Sequence, residues 1–281
     1  PLVEHPKGAK VAFTGSEETG VKVYESAARG IKRVTMELGG KSPNIVFADA
    51  HIDNAVKGVI SGIFAATGQT CIAGSRLLVQ ESIHDAFVEK VVDLARQARM
   101  GDPQKLETQV GPITNLAQFE TVLDYIRIAK EEGAKTALGG AKAERPECGD
   151  GWFIEPTIFT DVGQDMRIAQ EEIFGPVLTV FRASGLEDAI QISNNVKFGL
   201  SSSIYTKDLT QAFEYINTVE AGMVHVNAPT LGGEVHLPFG GLKSSGVGQR
   251  EQGVEAFDFF SEVITVYIDH AAEPTERAKF I

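Results

Sequence analysis

The sequence predicts an α/β protein built on a doubly wound, mostly parallel sheet. Along its 281 residues, segments with apolar residues at helical spacing alternate with short runs rich in Val, Ile, Leu and Phe. Loops containing glycine and proline separate these segments. Because parallel strands need a crossover connection, this alternation favours helices on both faces of a parallel sheet. Such sheets bind ligands at the carboxyl ends of their strands, so we expect the functional loops there.

The chain starts with a predicted strand, glycine turn and helix. Residues 11–14 predict the strand, 15–20 the turn and 21–28 the helix. Free N–H groups and the helix dipole converge at such a junction, which suits it to binding an anion. An ordinary glycine-containing turn has the same pattern, so the residues alone leave both interpretations open.

The segment ELGGKSP, residues 37–43, follows a short extended run at residues 32–35. Gly39 and Gly40 allow the backbone to turn tightly beside a ligand. By default Glu37 is a solvated charge at the end of a strand. Next to a reactive side chain, the same carboxylate is a candidate general base.

Cys71 is the first of only two cysteines and lies in a polar loop flanked by glycines. Helical spacing of apolar residues predicts a helix at 52–66, and an apolar run predicts a strand at 76–80. A loop between two buried elements can aim a side chain into a cleft. Most free cysteines are small buried hydrophobes, so the reactive interpretation depends on the neighbouring motifs.

The alternation continues beyond residue 80. Ser82 is the predicted N-cap of a helix at 83–99, with Asp85 placed like the acidic member of a capping box. Cys148 lies in a loop with Pro and Gly, where we expect an incidental exposed thiol. Further helices are predicted at residues 118–132, 186–194, 209–216 and 253–260. Further strands are predicted at residues 153–160, 177–181, 202–205, 223–226 and 262–268.

Composition argues against several classes of protein. A formal net charge of −12 disfavours a nucleic-acid or anionic-membrane partner, which would call for a basic patch. Two cysteines are too few for a disulfide framework, so we predict a reducing, cytoplasmic location. No apolar run is long enough to span a bilayer, and we predict no metal site.

Several motifs, in this order, resemble the aldehyde dehydrogenase superfamily nearly from end to end. They are ELGGKSP, the GQTC loop ending at Cys71, EEIFGPV at 171–177, MVHVN ending at Asn227, and PFGGLKSSG at 238–246. Residues 194–200 also match an Asn-x-x-x-Tyr-Gly-Leu run, with Phe198 in the place of the tyrosine, which favours a structural role there. The resemblance implies oxidation of an aldehyde to an acid with NAD or NADP.

The resemblance also implies a role for each matching residue. Ser16 would contact the pyrophosphate, Glu172 the nicotinamide ribose hydroxyls, and Phe174 the side of the nicotinamide. Asn227 would orient the active site and Phe239 would line the aldehyde entrance. The implied cofactor-binding residues are Gly15, Ser16, Gly20, Leu38, Gly39, Glu172 and Phe174.

The implied mechanism assigns catalytic roles to Cys71 and Glu37. An aldehyde is a poor hydride donor until a nucleophile makes its carbonyl carbon tetrahedral, so the Cys71 thiolate would attack first. The thioester that remains would be hydrolysed by a water that Glu37 deprotonates, with the Cys71 N–H as one oxyanion donor. Relatives that pass the acyl group to coenzyme A typically lack this glutamate, so Glu37 favours release of a free acid.

Two other classes of function stay open. A cysteine hydrolase needs a histidine partner for its thiol, yet none of the six histidines lies in such a motif. The second alternative is a truncated piece of an aldehyde dehydrogenase that folds and self-associates but does not turn over. It stays open because the family's long N-terminal portion has no match here.

The resemblance also suggests domains, a substrate and an assembly. We expect the tail end of a Rossmann-like cofactor domain at residues 1–39, the catalytic domain at 40–241, and a C-terminal helix and oligomerisation strand at 242–281. Residues 227–238 resemble the branch that contains ketoglutarate-semialdehyde dehydrogenases. An uncovered terminal strand at 263–268 predicts a homodimer or homotetramer, unless it folds back on its own chain.

Overall fold

The computed structural model describes residues 1–268 and 270, which form twelve strands and eight α-helices. The strands are β1 (Lys10–Thr14), β2 (Arg33–Glu37), β3 (Pro43–Val46), β4 (Arg76–Gln80), β5 (Lys135–Leu138), β6 (Thr157–Thr160), β7 (Val177–Ala183), β8 (Phe198–Gly199), β9 (Ser201–Tyr205), β10 (Met223–Val226), β11 (Leu242–Lys243) and β12 (Gly246–Val247). The helices are α1 (Glu17–Ala28), α2 (Ile52–Phe64), α3 (His84–Arg96), α4 (Leu116–Glu131), α5 (Arg167–Gln170), α6 (Leu186–Asn194), α7 (Leu209–Thr218) and α8 (Glu255–Phe260).

The largest sheet has seven strands in the order β10-β9-β3-β4-β7-β6-β5. Every neighbouring pair is parallel except β5 and β6, which are antiparallel. The predicted α/β class with a mostly parallel sheet is therefore confirmed.

Helices cover both faces of this sheet because its central strands are apolar at successive positions. In β4, Leu77 and Val79 pack with α2 and α3 on one face, whereas Leu78 packs with α6 and α7 on the other. Leu77, Leu78 and Val79 are all fully buried. Such near-continuous apolar runs are typical of parallel strands covered on both faces, and the sheet is doubly wound as predicted.

A smaller sheet has the order β1-β2-β12; its strands β1 and β2 precede the large sheet in the chain, and β12 follows it. Strands β1 and β2 are parallel, and β12 pairs antiparallel with β2. Leu38 to Ser42 connect the carboxyl end of β2 directly to β3. The carboxyl edge of the small sheet therefore faces the amino edge of the large one. The predicted division at residues 39 and 241 stays a prediction.

Two predictions about local structure are wrong. Ser82 is not a helix N-cap: residues 81–83 form a 3₁₀ turn, and α3 begins at His84 without a side-chain cap. Asp85 instead lies 2.9 Å from His84 Nδ1 and accepts a hydrogen bond from Arg182. Cys148 is not exposed but 6% accessible, because its loop folds back and the thiol packs into the core.

The carboxyl-terminal segment departs from the predicted strand. Residues 262–268 form no strand in the described chain, and Val263 and Tyr267 are 97% and 93% exposed. Part of the predicted C-terminal domain, residues 269 and 271–281, lies outside the described residues. Among the residues that are described, no helix has the length and apolarity needed to cross a membrane.

Candidate active site

Three loops that precede neighbouring parallel strands form the site. They carry Gly39 and Gly40 before β3, Cys71 before β4, and Glu172 before β7. Since β3, β4 and β7 are adjacent and parallel, these loops meet at the amino edge of the large sheet. The expectation that this sheet binds ligands at its carboxyl edge is therefore wrong. The rule holds instead for the small sheet, where β1 and β2 end at Thr14 and Glu37.

The two glycines after Glu37 bring these loops into contact. A Cβ atom on Gly40 would overlap the carbonyl oxygen of Cys71, and one on Gly39 would lie 2.5 Å from Glu172 Oε2. The Gly40 N–H donates a hydrogen bond of 2.9 Å to Glu172 Oε1. The pair of glycines is thus required for close approach of backbone to backbone and of backbone to carboxylate.

One cavity of about 940 Å³ opens between the two sheets at this point. It contains Cys71 and six of the seven predicted cofactor-binding residues. Its lining is Thr14, Gly15, Ser16, Glu18, Leu38, Gly39, Gln69, Thr70, Cys71, Ile72, Gln118, Thr121, Tyr125, Glu172, Ile173 and Phe174. A cleft of this size that gathers a thiol, carboxylates and glycines is the expected kind of ligand site.

Four predicted site residues lie outside this lining: Gly20, Glu37, Asn227 and Phe239. Gly20 is buried in α1, where a Cβ would lie 2.5 Å from Leu38, so it serves helix packing. Asn227 does not lie beside Cys71 as predicted. Its side chain forms hydrogen bonds with the backbone N–H and C=O of Thr206, at the carboxyl edge of the large sheet, and Cys71 lies at the opposite edge. Phe239 lines a separate cavity of about 520 Å³. Its neighbour Gly240 nevertheless packs against Glu37, so a role for Phe239 at the entrance stays a prediction.

The Cys71 side chain is partly buried, and its thiol is surrounded by acids. Burial raises the pKa of Cys71, and the charges of Glu172 and Glu37 raise it further. The resting thiol is therefore protonated at neutral pH, which differs from the low-pKa nucleophile typical of activated cysteines. A base must remove its proton before the sulfur can attack.

Glu37 is the candidate predicted for this base. Burial raises the pKa of Glu37 to about 8, helped by the nearby charge of Glu251 and opposed by Arg250. Within the described chain its Oε2 atom has no hydrogen-bond partner, and the side chain is 5% exposed. A buried carboxyl group that titrates near physiological pH fits a general base.

The cavity suits a dinucleotide in volume and in polar groups. Ser16 caps the N-terminus of α1, a helix of 12 residues, where backbone N–H groups favour a phosphate. Glu172 also lines the cavity, where its carboxylate can accept hydrogen bonds from the hydroxyl groups of a ligand. Glu17 and Glu18 in the first turn of α1 act against an anion, so the fit depends on the N–H groups and on Ser16.

One wall of the cavity was not predicted from the sequence. Gln118, Thr121 and Tyr125, at helical spacing on α4, all face it. Gln118 donates to the carbonyls of Ile173 and Phe174, at 2.8 and 3.1 Å. This contact supports Phe174, which has a φ of 57°, a strained conformation that is often retained at functional sites. The available signal was a polar face on an otherwise apolar helix.

Comparison with known proteins agrees with this geometry. The model of the aldehyde dehydrogenase family matches residues 1–266. A betaine aldehyde dehydrogenase of Brucella anthropi is 45% identical over 268 residues, which are 95% of this chain and 55% of the relative. The chain belongs to the aldehyde dehydrogenase family.

Two solved structures have the same fold. The crystal structure of an NAD-dependent aldehyde dehydrogenase from Sinorhizobium meliloti superposes with a TM-score of 0.93 at 41% identity, covering 99% of this chain and 54% of that one. A betaine aldehyde dehydrogenase from Staphylococcus aureus, in complex with NAD⁺, superposes with a TM-score of 0.89 at 37% identity, covering 92% of this chain and 50% of that one. The chain spans about half the length of the relatives it matches.

The raised pKa of Glu37 predicts how a neutral substitution changes stability. The folded state keeps the Glu37 proton up to about pH 8, whereas the unfolded chain loses it near its ordinary pKa of 4.5. The wild-type chain therefore loses stability as pH rises from 4.5 to 8. We expect Glu37→Gln to raise the free energy of unfolding by roughly 2–4 kcal/mol above this window.

Urea unfolding at several pH values measures this gain. The matched control is Glu89→Gln on the exposed face of α3, which we expect to change little at any pH. A Glu37→Gln gain that does not grow between acid and neutral pH would contradict the buried, protonated carboxyl group.

Proposed function

We propose that the protein carrying this chain oxidises an aldehyde to a carboxylic acid with NAD or NADP. The observation that supports this most strongly is the meeting of Cys71, Gly39 and Glu172 in one cavity. The charge of Glu37 acts on the same thiol, because it raises the pKa of Cys71. The cofactor accepts a hydride when bound. The remaining steps are carried by side chains of this chain.

In the first step Glu37 or solvent takes the thiol proton, and Cys71 Sγ forms a bond to the aldehyde carbon. The carbonyl oxygen becomes an oxyanion, for which the Cys71 N–H is one donor. Loss of hydride restores the carbonyl and leaves a thioester. Before the second step Glu37 releases to solvent any proton that it took from the thiol. Glu37 then takes a proton from water, the hydroxide attacks the thioester, and Cys71 leaves as a thiolate while the carboxylic acid forms.

The site residues support a nicotinamide dinucleotide. We assign the pyrophosphate to the α1 N-terminus at Ser16, with Gly15 beside it, the nicotinamide ribose to Glu172, and the nicotinamide to the side of Phe174, with Leu38 and Gly39 on the same wall. The Sinorhizobium meliloti neighbour is described as NAD-dependent, and the Staphylococcus aureus neighbour contains NAD⁺. These descriptions favour NAD over NADP.

The chemistry predicts different effects of two substitutions. Cys71→Ala removes the nucleophile, so we expect no reduced cofactor at all. Glu37→Gln leaves the attack of Cys71 possible but slows hydrolysis, because water loses its base. We therefore expect a burst of about one reduced cofactor per active site, followed by steady turnover at least about 100-fold slower than wild type.

Stopped-flow absorbance of the reduced nicotinamide measures both phases. Unchanged steady-state turnover in either variant would refute the assigned roles. Running the same assay with a keto-acid semialdehyde, betaine aldehyde and a simple aliphatic aldehyde identifies the substrate by kcat/KM. Residues 227–238 favour the semialdehyde, whereas the name of the Brucella anthropi relative favours betaine aldehyde as the second candidate.

We also propose that the protein is a homo-oligomer. Apolar side chains at 263–268 are 69–97% exposed, which is costly unless another surface covers them. Strand β10 ends the large sheet and pairs only with β9 in the described chain, so it offers a free edge to such a segment. A second copy of the chain supplies both surfaces.

Proline at residue 265 tests this assembly, because proline cannot donate to a strand ladder. By light scattering at micromolar concentration we expect the wild type to be a dimer or larger and Thr265→Pro to be smaller. Leu106→Pro, in an equally exposed loop, is the control. A wild-type monomer that Thr265→Pro leaves unchanged would show that the segment is not an interface.

A further inference from the structure

Lys41 is a fully enclosed lysine whose charge the mechanism does not use. It is 2% exposed, and its Nζ atom has no hydrogen-bond partner in the described chain. A buried ammonium group normally has a paired carboxylate, because desolvating an unpaired charge costs several kcal/mol. The position of Lys41 directly after Gly40 places it behind the wall of the cofactor cavity.

The charges that face Lys41 come from strand β4 and from the loop before β7. Arg76 on β4 is 2% exposed, and its guanidinium donates to the backbone carbonyls of Lys41, Ile192 and Ser193, each at 2.8 Å. Glu172 and Glu171, before β7, supply the opposite charge. The cavity beside Lys41 has a volume of about 10 Å³, room for roughly one water, so bulk solvent does not screen these charges.

Glu172 needs a positive charge to stay ionised. Burial raises the pKa of Glu172, whereas the Gly40 N–H and the charges of Lys41 and Lys197 lower it and that of Glu17 raises it. Lys197 is 53% exposed and is bonded to Glu17. Water and salt therefore weaken the influence of Lys197, while that of Lys41 acts through the protein interior.

We propose that Lys41 is a positioning residue: its ammonium keeps the Glu172 carboxylate ionised and turned toward Gly39 and Gly40, ready for the hydroxyl groups of the cofactor ribose. This inference rests on the proposed role of Glu172 and deepens it. Lys41 itself is buried and does not line the cofactor cavity, so we place it outside the groups that contact cofactor or substrate.

The effect of Lys41 on Glu172 should decrease as the pH rises. Burial and Arg76 lower the pKa of Lys41 to about 7, so its charge is present in acid and lost in base. Below neutral pH the Lys41 ammonium lowers the pKa of Glu172, so a chain without that ammonium favours the protonated carboxyl group. Well above neutral pH Lys41 is uncharged in the wild type as well, so the two proteins converge.

The experiment is isothermal titration of NAD into the protein carrying this chain, at about pH 6 and about pH 9. We expect Lys41→Met to weaken binding about tenfold at the lower pH and less than twofold at the higher one. Lys197→Met, the control that removes the exposed cation, should change binding less than twofold at both. Lys41→Gln replaces Lys41→Met if thermal unfolding shows that the methionine variant is not folded.

A double-mutant cycle with Glu172→Gln separates the inference from the proposed function. We expect Lys41→Met to cause no further loss in the Glu172→Gln background. An equal loss in both backgrounds, or a loss that is the same at both pH values, would overturn the role of Lys41. A wild type that does not bind NAD, or one that Glu172→Gln does not weaken, would instead overturn the proposed function.

Discussion

The close approach of three loops is the constraint on which the site depends. Gly40 lies against the carbonyl of Cys71, and Gly39 lies against the carboxylate of Glu172, so no side chain fits at either position. Because β3, β4 and β7 are adjacent, the register of the large sheet fixes the loops relative to one another. The small sheet then delivers Glu37 from the end of β2 to the same place. Sheet geometry, rather than loop flexibility, brings thiol and carboxylates together.

This arrangement has an electrostatic consequence. Burying Glu37, Glu172 and Cys71 together raises the pKa of each, so the resting site holds protons that its chemistry must move. The cations beside it, Lys41 and Arg76, are themselves buried and compensate only in part. A site of this kind is costly to fold and useful for proton transfer near neutral pH. Stability and function therefore oppose each other at Glu37.

Much of the fold could be predicted from the sequence, because the spacing of apolar residues indicates which side chains are buried. Residues 76–80 and 186–194 have the predicted bounds, since apolar runs and helical spacing mark them without ambiguity. Motifs placed Cys71, Glu172 and Phe174 in one cavity. The sequence did not predict that the site lies at the amino edge of the large sheet, because this position depends on how the small sheet is connected to the large one. The burial of Cys148 and the distance of Asn227 from Cys71 could not be predicted either, since both depend on contacts between segments that are far apart in the sequence.

The measurement that tests the central claim most directly is the pH dependence of Cys71 alkylation, followed by mass spectrometry of the modified peptide. Burial and two carboxylates raise the pKa of Cys71, so the midpoint should lie above the ordinary thiol value of 9.0. Glu172→Gln and Glu37→Gln should each lower it, and buried Cys148 should stay unmodified as an internal reference. A midpoint below about pH 7, or one that neither substitution moves, would contradict a thiol held between buried acids.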